Sequence, residues 1–118
     1  MDSYDFIISV LALNSIYSRR MEQSGICLDQ FLNDILRIYP HPALKHAKIR
    51  PHYIYGDSEL LYGAIRELVQ NRVLKLWIPV SLLTWDYPQT PGSYFKERIK
   101  PALADQELSD LELFAASL

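Results

Sequence analysis

The chain has 118 residues, 49% of them hydrophobic and 22% charged, with a net charge of −2. That length holds one domain, spanning 1–118, with a core of adequate size and no room for a second. The single Cys27 excludes an internal disulfide, and no apolar run reaches the about 18 residues that crossing a bilayer requires.

The first five residues, Met1 to Asp5, carry two aspartates where a secretory leader would start basic, and a lone cysteine fits a reducing compartment. A cytoplasmic protein with no membrane contact is therefore expected. Residues 4–21 read as a first helix. Phe6, Ile7, Val10, Leu11, Leu13, Ile16 and Tyr17 cover most of its circumference, the pattern of a central, buried helix. Arg19 and Arg20 suit its negative C-terminal end, and Gly25 marks the stop.

Ile26-Cys27-Leu28 is a short apolar link, long enough for one bridge of a small sheet. From Leu28 to Tyr39, the apolar residues Leu28, Phe31, Leu32, Ile35, Leu36 and Tyr39 follow helical spacing. Pro40 and Pro42 end that helix. Residues 40–56 form a long connection in which Ala43 to Ile49 suit a short helical turn.

A third helix is predicted near 58–72. Leu61, Ala64, Ile65, Leu68 and Val69 line one side, and Asp57 or Ser58 can cap its start. The period then switches to two, predicting a strand over 74–80. Leu74, Leu76, Ile78 and Val80 share one face; Lys75, Trp77 and Pro79 share the other. Leu82 to Tyr87 alternates again as a second strand, and Pro88 to Ser93 is a loop. Tyr94 to Lys100 returns as a strand with Phe95 and Ile99 inward, or begins a helix; periodicity does not decide. Leu108, Leu111, Phe114, Ala115 and Leu118 put an apolar stripe on a last helix over 104–117.

The expected class is α+β and mostly helical, with a small antiparallel sheet and an extra C-terminal helix. The order of helix, short link, helix, helix, strand, loop and strand is that of a winged helix-turn-helix. Within that class, Leu60-Leu61-Tyr62-Gly63-Ala64-Ile65-Arg66-Glu67-Leu68 resembles the recognition helix of PadR-type regulators. Val73-Leu74-Lys75-Leu76-Trp77 resembles the start of their wing, and Ser93-Tyr94-Phe95-Lys96 their aromatic return strand. Asn71-Arg72 stands where that family usually has glycine, and the connection before the helix is longer than in the family. The resemblance implies a transcriptional regulator that binds double-stranded DNA as a homodimer, with the terminal helix, 104–118, joining the two copies.

On that expectation the N-terminal half of the third helix meets base edges in the major groove. Arg66 is suited to guanine, and Ser58 and Tyr62 to phosphate. Lys45, Lys48 and Arg50 upstream, with Lys96 and Arg98 on the wing's return, would supply the phosphate contacts that dominate affinity. Asp57 and Glu59 oppose it. The charge is polarised, because residues 41–56 hold no acid and the last 17 residues no base. Most such clusters are nonetheless simply solvated surface. The stripe of Leu108, Leu111, Phe114 and Leu118 would form the dimer contact, or else pack within its own chain.

The alternative is a protein-interaction module or small subunit of a larger assembly. Eight tyrosines and two tryptophans favour it, since both residue types are enriched at interfaces. Trp77 is its best single residue, placed opposite the core-facing side of its strand. An enzyme is not expected. His41, His46 and His52 match no zinc spacing, no phosphate-binding glycine loop or nucleophile motif is present, and no cofactor or metal is implied.

Overall fold

Asn14 divides what the apolar pattern presents as one helix. In the computed structural model, which describes residues 1–38, 41–47, 58–86 and 91–118, helix α1 spans Ser3–Leu13 and α2 spans Ser15–Gln23. Asn14 itself is extended, with ψ 110°. Its backbone N–H closes α1 on Val10 O (3.0 Å), and its side-chain Oδ1 accepts from Tyr17 N (2.9 Å) at the start of α2. An asparagine is a good N-cap, and here it caps the second helix while ending the first. The expected continuous helix over 4–21 is thus two helices with a corner.

β1 (Ile26–Cys27), α3 (Leu28–Arg37) and α4 (Pro42–His46) follow. Pro42 at the first turn of α4 needs no hydrogen-bond donor there, and His41 caps it by accepting from Ala43 N at 3.1 Å. Next come α5 (Ser58–Gln70), β2 (Leu74–Trp77) and β3 (Leu82–Trp85). A short α6 (Pro91–Tyr94) runs into a π-helical turn, Phe95–Ile99, and a 3₁₀ turn, Lys100–Ala102. α7 (Asp105–Ala116) completes the order.

The sheet is antiparallel throughout, in the order β1-β3-β2. The short link at Ile26 does form a bridge, pairing with Leu83. Gly25 makes this approach possible. Its φ of +82° favours glycine, and a Cβ there would sit 3.0 Å from Leu83 O and 3.2 Å from Thr84 Cγ2.

Two expectations about extended chain are corrected. The strand predicted over 74–80 ends at Trp77, and Ile78 and Val80 lie in the hairpin turn rather than on the core face. Of the two alternatives for 94–100 the segment takes the helical one, so the return strand that the resemblance implied for Ser93-Tyr94-Phe95-Lys96 does not form and Lys96 and Arg98 are not on a wing. Phe95 and Ile99 are buried as one helical turn, with Lys96, Glu97 and Arg98 facing out.

Buried residues from α1, α3, α4, α5, α7 and the sheet form one core. α1 is its centre, packed against α2, α5, α6 and α7. Every residue from Phe6 to Leu11 is essentially inaccessible; Ser9 is satisfied by donating to Asp5 O at 2.6 Å. The Phe6 and Phe114 rings meet at 5.4 Å. Phe114 and Leu111 are fully buried, and Leu108 and Leu118 pack against the same core. The stripe expected to join two copies therefore belongs to the chain's own interior. Its physical reason is α1: a helix apolar on all sides needs a cover on each of them.

Polar links hold this cover in place. Asn14 Nδ2 donates to Ala115 O (2.7 Å) near the end of α7. His46 Nε2 lies 3.0 Å from Asp110 Oδ2, and Gln106 Nε2 donates to Asp110 Oδ1 at 2.9 Å. The hydrogen bond with His46, and then that with Gln106, hold the Asp110 carboxyl below its ordinary range, outweighing desolvation. Tyr17 joins α2 to α3 by donating to Asp34 (3.0 Å), and burial with that bond pushes its hydroxyl up to about 12.

α5 ends in a Schellman motif. Val73 N–H reaches Leu68 O (2.9 Å) and Arg72 N–H reaches Val69 O (3.1 Å), with Arg72 left-handed at φ 60°. Replacing Arg72 with glycine removes the left-handed penalty and should raise stability by about 1 kcal/mol in a denaturant titration. Phe114→Ala should cost about 3–5 kcal/mol, and a chain ending at residue 104 should lose its helical circular dichroism rather than fold as a monomer. A lowered carboxyl stabilises the fold at neutral pH and loses that contribution as pH falls through its own value. Acid unfolding should accordingly begin at higher pH in Asp110→Ala than in the wild type.

Candidate functional site

The β2–β3 hairpin and the outer flank of α5 are the two surfaces on which the sequence places function. The hairpin register pairs Leu74 with Trp85, Lys75 with Thr84, Leu76 with Leu83 and Trp77 with Leu82. Directly opposed residues share a face. Leu74, Leu76, Leu83 and Trp85 thus face the core, while Lys75, Trp77, Leu82 and Thr84 face outward. Cys27, paired with Leu82 on β1, extends the outward row.

Trp77 is 47% exposed, as the alternation predicts, and it is held rather than loose. Its indole Nε1 donates to Thr84 Oγ1 (3.0 Å), and Lys75 Nζ lies 4.1 Å from its ring centre. An ammonium over an indole face is an attractive pair. The turn beyond it, residues 78–81, carries Ile78 at 82% exposure and Val80 at 62%, with Pro79 also exposed and a cis Ile78–Pro79 bond. Four consecutive apolar residues, 77–80, therefore stand in solvent. Single exposed apolar side chains are ordinary; a contiguous group on a projecting turn is not.

The α5 flank is different. Leu61, Ala64, Ile65 and Leu68 are buried, leaving Glu59, Tyr62, Arg66, Glu67 and Gln70 outward. That flank is open, as the third helix of a reader would need. Tyr62 is engaged, however. Its hydroxyl donates to Asp29 Oδ1 at the start of α3, a bond that raises its pKa and keeps the proton in place. Arg66 is exposed and makes no ion pair among the described residues.

The remaining candidates are dispersed. Lys45 is exposed on α4, and Lys96 and Arg98 are exposed on the π-helical turn. Lys48 and Arg50, with Asp57 and His52, lie outside the described residues, as does the side chain of Ser58. His41 and His46 are used in capping α4 and in joining it to α7. Among the described residues, no group of three or more His, Cys, Asp or Glu side chains is arranged to hold a metal ion, and no helix is long and apolar enough to cross a membrane.

The alternation of the sequence places Trp77 outward, where it lies, and places Ile78 and Val80 inward, where they do not lie. Their signal was present in Pro79, which cannot donate to a strand ladder and so argues for a turn. Nor does the sequence mark Asp29 as the partner of Tyr62, for which no local signal exists. No protein-family model, curated protein or solved structure matches this chain.

The bond between Tyr62 and Asp29 generates its own test. In Asp29→Asn the Tyr62 hydroxyl should titrate at lower pH than in the wild type, visible as earlier tyrosinate absorbance. The Tyr62 contribution is isolated by subtracting the titration of Tyr62→Phe.

Proposed function

We propose that this chain is a winged-helix protein that works as a non-enzymatic interaction module, with its hairpin as the contact for another polypeptide. The element order and the antiparallel β1-β3-β2 sheet support the winged-helix part. One observation carries the interaction part: the wing is apolar. Residues 77–80 offer Trp77, Ile78, Pro79 and Val80 to solvent. A tryptophan fixed by Thr84 and Lys75 needs little further ordering on binding, the property that makes such residues anchors at interfaces.

DNA binding is the second reading, and Arg66 favours it, being exposed on the outer flank of α5. Less supports it than the sequence promised. Lys96 and Arg98 sit on a helical turn away from the hairpin, which keeps Lys75 alone as a base on its strands. Tyr62 is tied to Asp29, and Asp29 and Glu59 repel phosphate near the start of α5. The α7 stripe lies in the core and supplies no two-fold contact to double the few phosphate contacts of one copy.

The two readings separate in two measurements. A fluorescence-anisotropy titration with random duplex at about 50 mM salt should show no binding, in wild type and Arg66→Ala alike. Binding that weakens steeply with salt and is lost in Arg66→Ala would favour DNA instead. A display selection of random peptides should enrich binders to the wild type that do not bind Ile78→Ser/Val80→Ser. Enrichment indifferent to that double substitution would remove the hairpin from the role.

A further inference from the structure

On the side of the sheet turned away from the core, Trp77, Leu82 and Cys27 stand abreast on β2, β3 and β1. With strands about 4.8 Å apart this row is about 10 Å wide, close to the diameter of an α-helix with its side chains. Ile78 and Val80 lie exposed beyond it in the turn. From Arg72 to Trp85 the chain carries two bases and no acid. Neither Arg72 nor Lys75 makes an ion pair among the described residues. The Lys75 ammonium stays beside the row, 4.1 Å from the centre of the Trp77 ring.

The edge of β2 offers no second way in. Leu74 is inaccessible, Leu76 is half-buried, and Pro79 follows the strand. No run of free backbone is left there for an incoming main chain to pair with. An extended segment pressed onto the apolar row would instead cover N–H and C=O groups that have nothing to bond, which is costly. A helix bonds its own N–H groups to its own carbonyls and brings no such cost.

We propose that this outward face binds one α-helix of another polypeptide, with a large apolar side chain against Trp77 and a carboxylate against Lys75. This rests on the hairpin being the contact surface and adds the form of the partner and what is selected in it. The charge selects the acid, because no acid on the hairpin competes for the ammonium. The strand selects the spacing. Trp77 and Lys75 are two residues apart on β2, about 6.5 Å, and three or four helical residues advance about 4.5–6 Å. The two partner side chains therefore stand three or four residues apart on one helical face.

Area decides between a single helix and a second copy. The exposed parts of Trp77, Ile78 and Val80 come to roughly 300–400 Å² on ordinary side-chain areas. A stable dimer buries about 800 Å² per partner. One helix laid down by a single stripe of anchoring side chains suits the smaller area.

The test pans two displayed libraries against the full chain: single helices randomised on the exposed face of a helical scaffold, and linear random peptides. Helical binders should emerge that carry an acid three or four residues from a large apolar side chain. Trp77→Ala and Lys75→Glu should each weaken such a binder at least about tenfold. Both side chains are exposed, so the circular dichroism of these variants should match the wild type. Lysine in place of the binder's acid should weaken binding to the wild type and restore it to Lys75→Glu. A proline in the middle of the binder's helix should abolish binding. Helical binders that need no acid and ignore Lys75→Glu would overturn the chemistry. Hairpin-dependent linear peptides that tolerate proline at every position, with no helical binder, would overturn the helix and leave the hairpin as a contact surface of another kind. If neither library yields a binder sensitive to Ile78→Ser/Val80→Ser, the interaction reading falls with it. Dimerisation in sedimentation that this double substitution removes would replace the partner helix with a second copy.

Discussion

The constraint on which the structure depends is that α1 has no side to spare for water. From Phe6 to Leu11 it is buried on every face, so it must be enclosed by α2, α5, α6 and α7 together. Burying a single large side chain of this kind is worth about 1.5–3 kcal/mol before ordering costs. Several successive residues of that type make leaving α1 uncovered untenable. This explains why the last helix turns inward, why Phe114 meets Phe6, and why Leu111 has no surface to offer a second molecule. The hairpin turn at residues 78–80 is what remains outside that enclosure.

Where one pattern had one meaning, the sequence was legible. The all-round apolar face of α1 and the one-sided stripes of α3 and α5 each became helices, and the short link before α3 became a bridge. Legibility failed where two periods coincide. Phe95 and Ile99 are four apart, which fits a strand face and a helical turn equally. Glu97 breaks the tie, since a strand would bury it between them and a helix leaves it outside, as it is. The corner at Asn14 was hidden for a different reason. Its neighbours keep helical spacing on both sides, and only the side chain's tertiary partner, Ala115, shows that the break is needed.

The candidate site was half legible. Alternation alone put Trp77 on the outward side, but extending the strand to residue 80 assigned Ile78 and Val80 to the core face. A proline at 79 opposed that extension and was outweighed by pattern. The contact of Tyr62 with Asp29 joins residues from different helices, and no spacing rule reaches across that distance in sequence. Such contacts redistribute exposure: a side chain that composition offers to phosphate is already committed, while a turn that the alternation assigns to the interior is, among the described residues, the most open run of apolar side chains.

Asn14 also sets how the molecule would age. Its carboxamide serves two partners with opposite demands, an N–H of Tyr17 that wants oxygen and the Ala115 carbonyl that wants a donor. Spontaneous hydrolysis of the amide would retain the first and invert the second, setting a negative oxygen against a carbonyl where a proton had bridged them. The damage would be felt at opposite ends of the chain at once, loosening the lid over α1 without touching a single apolar side chain.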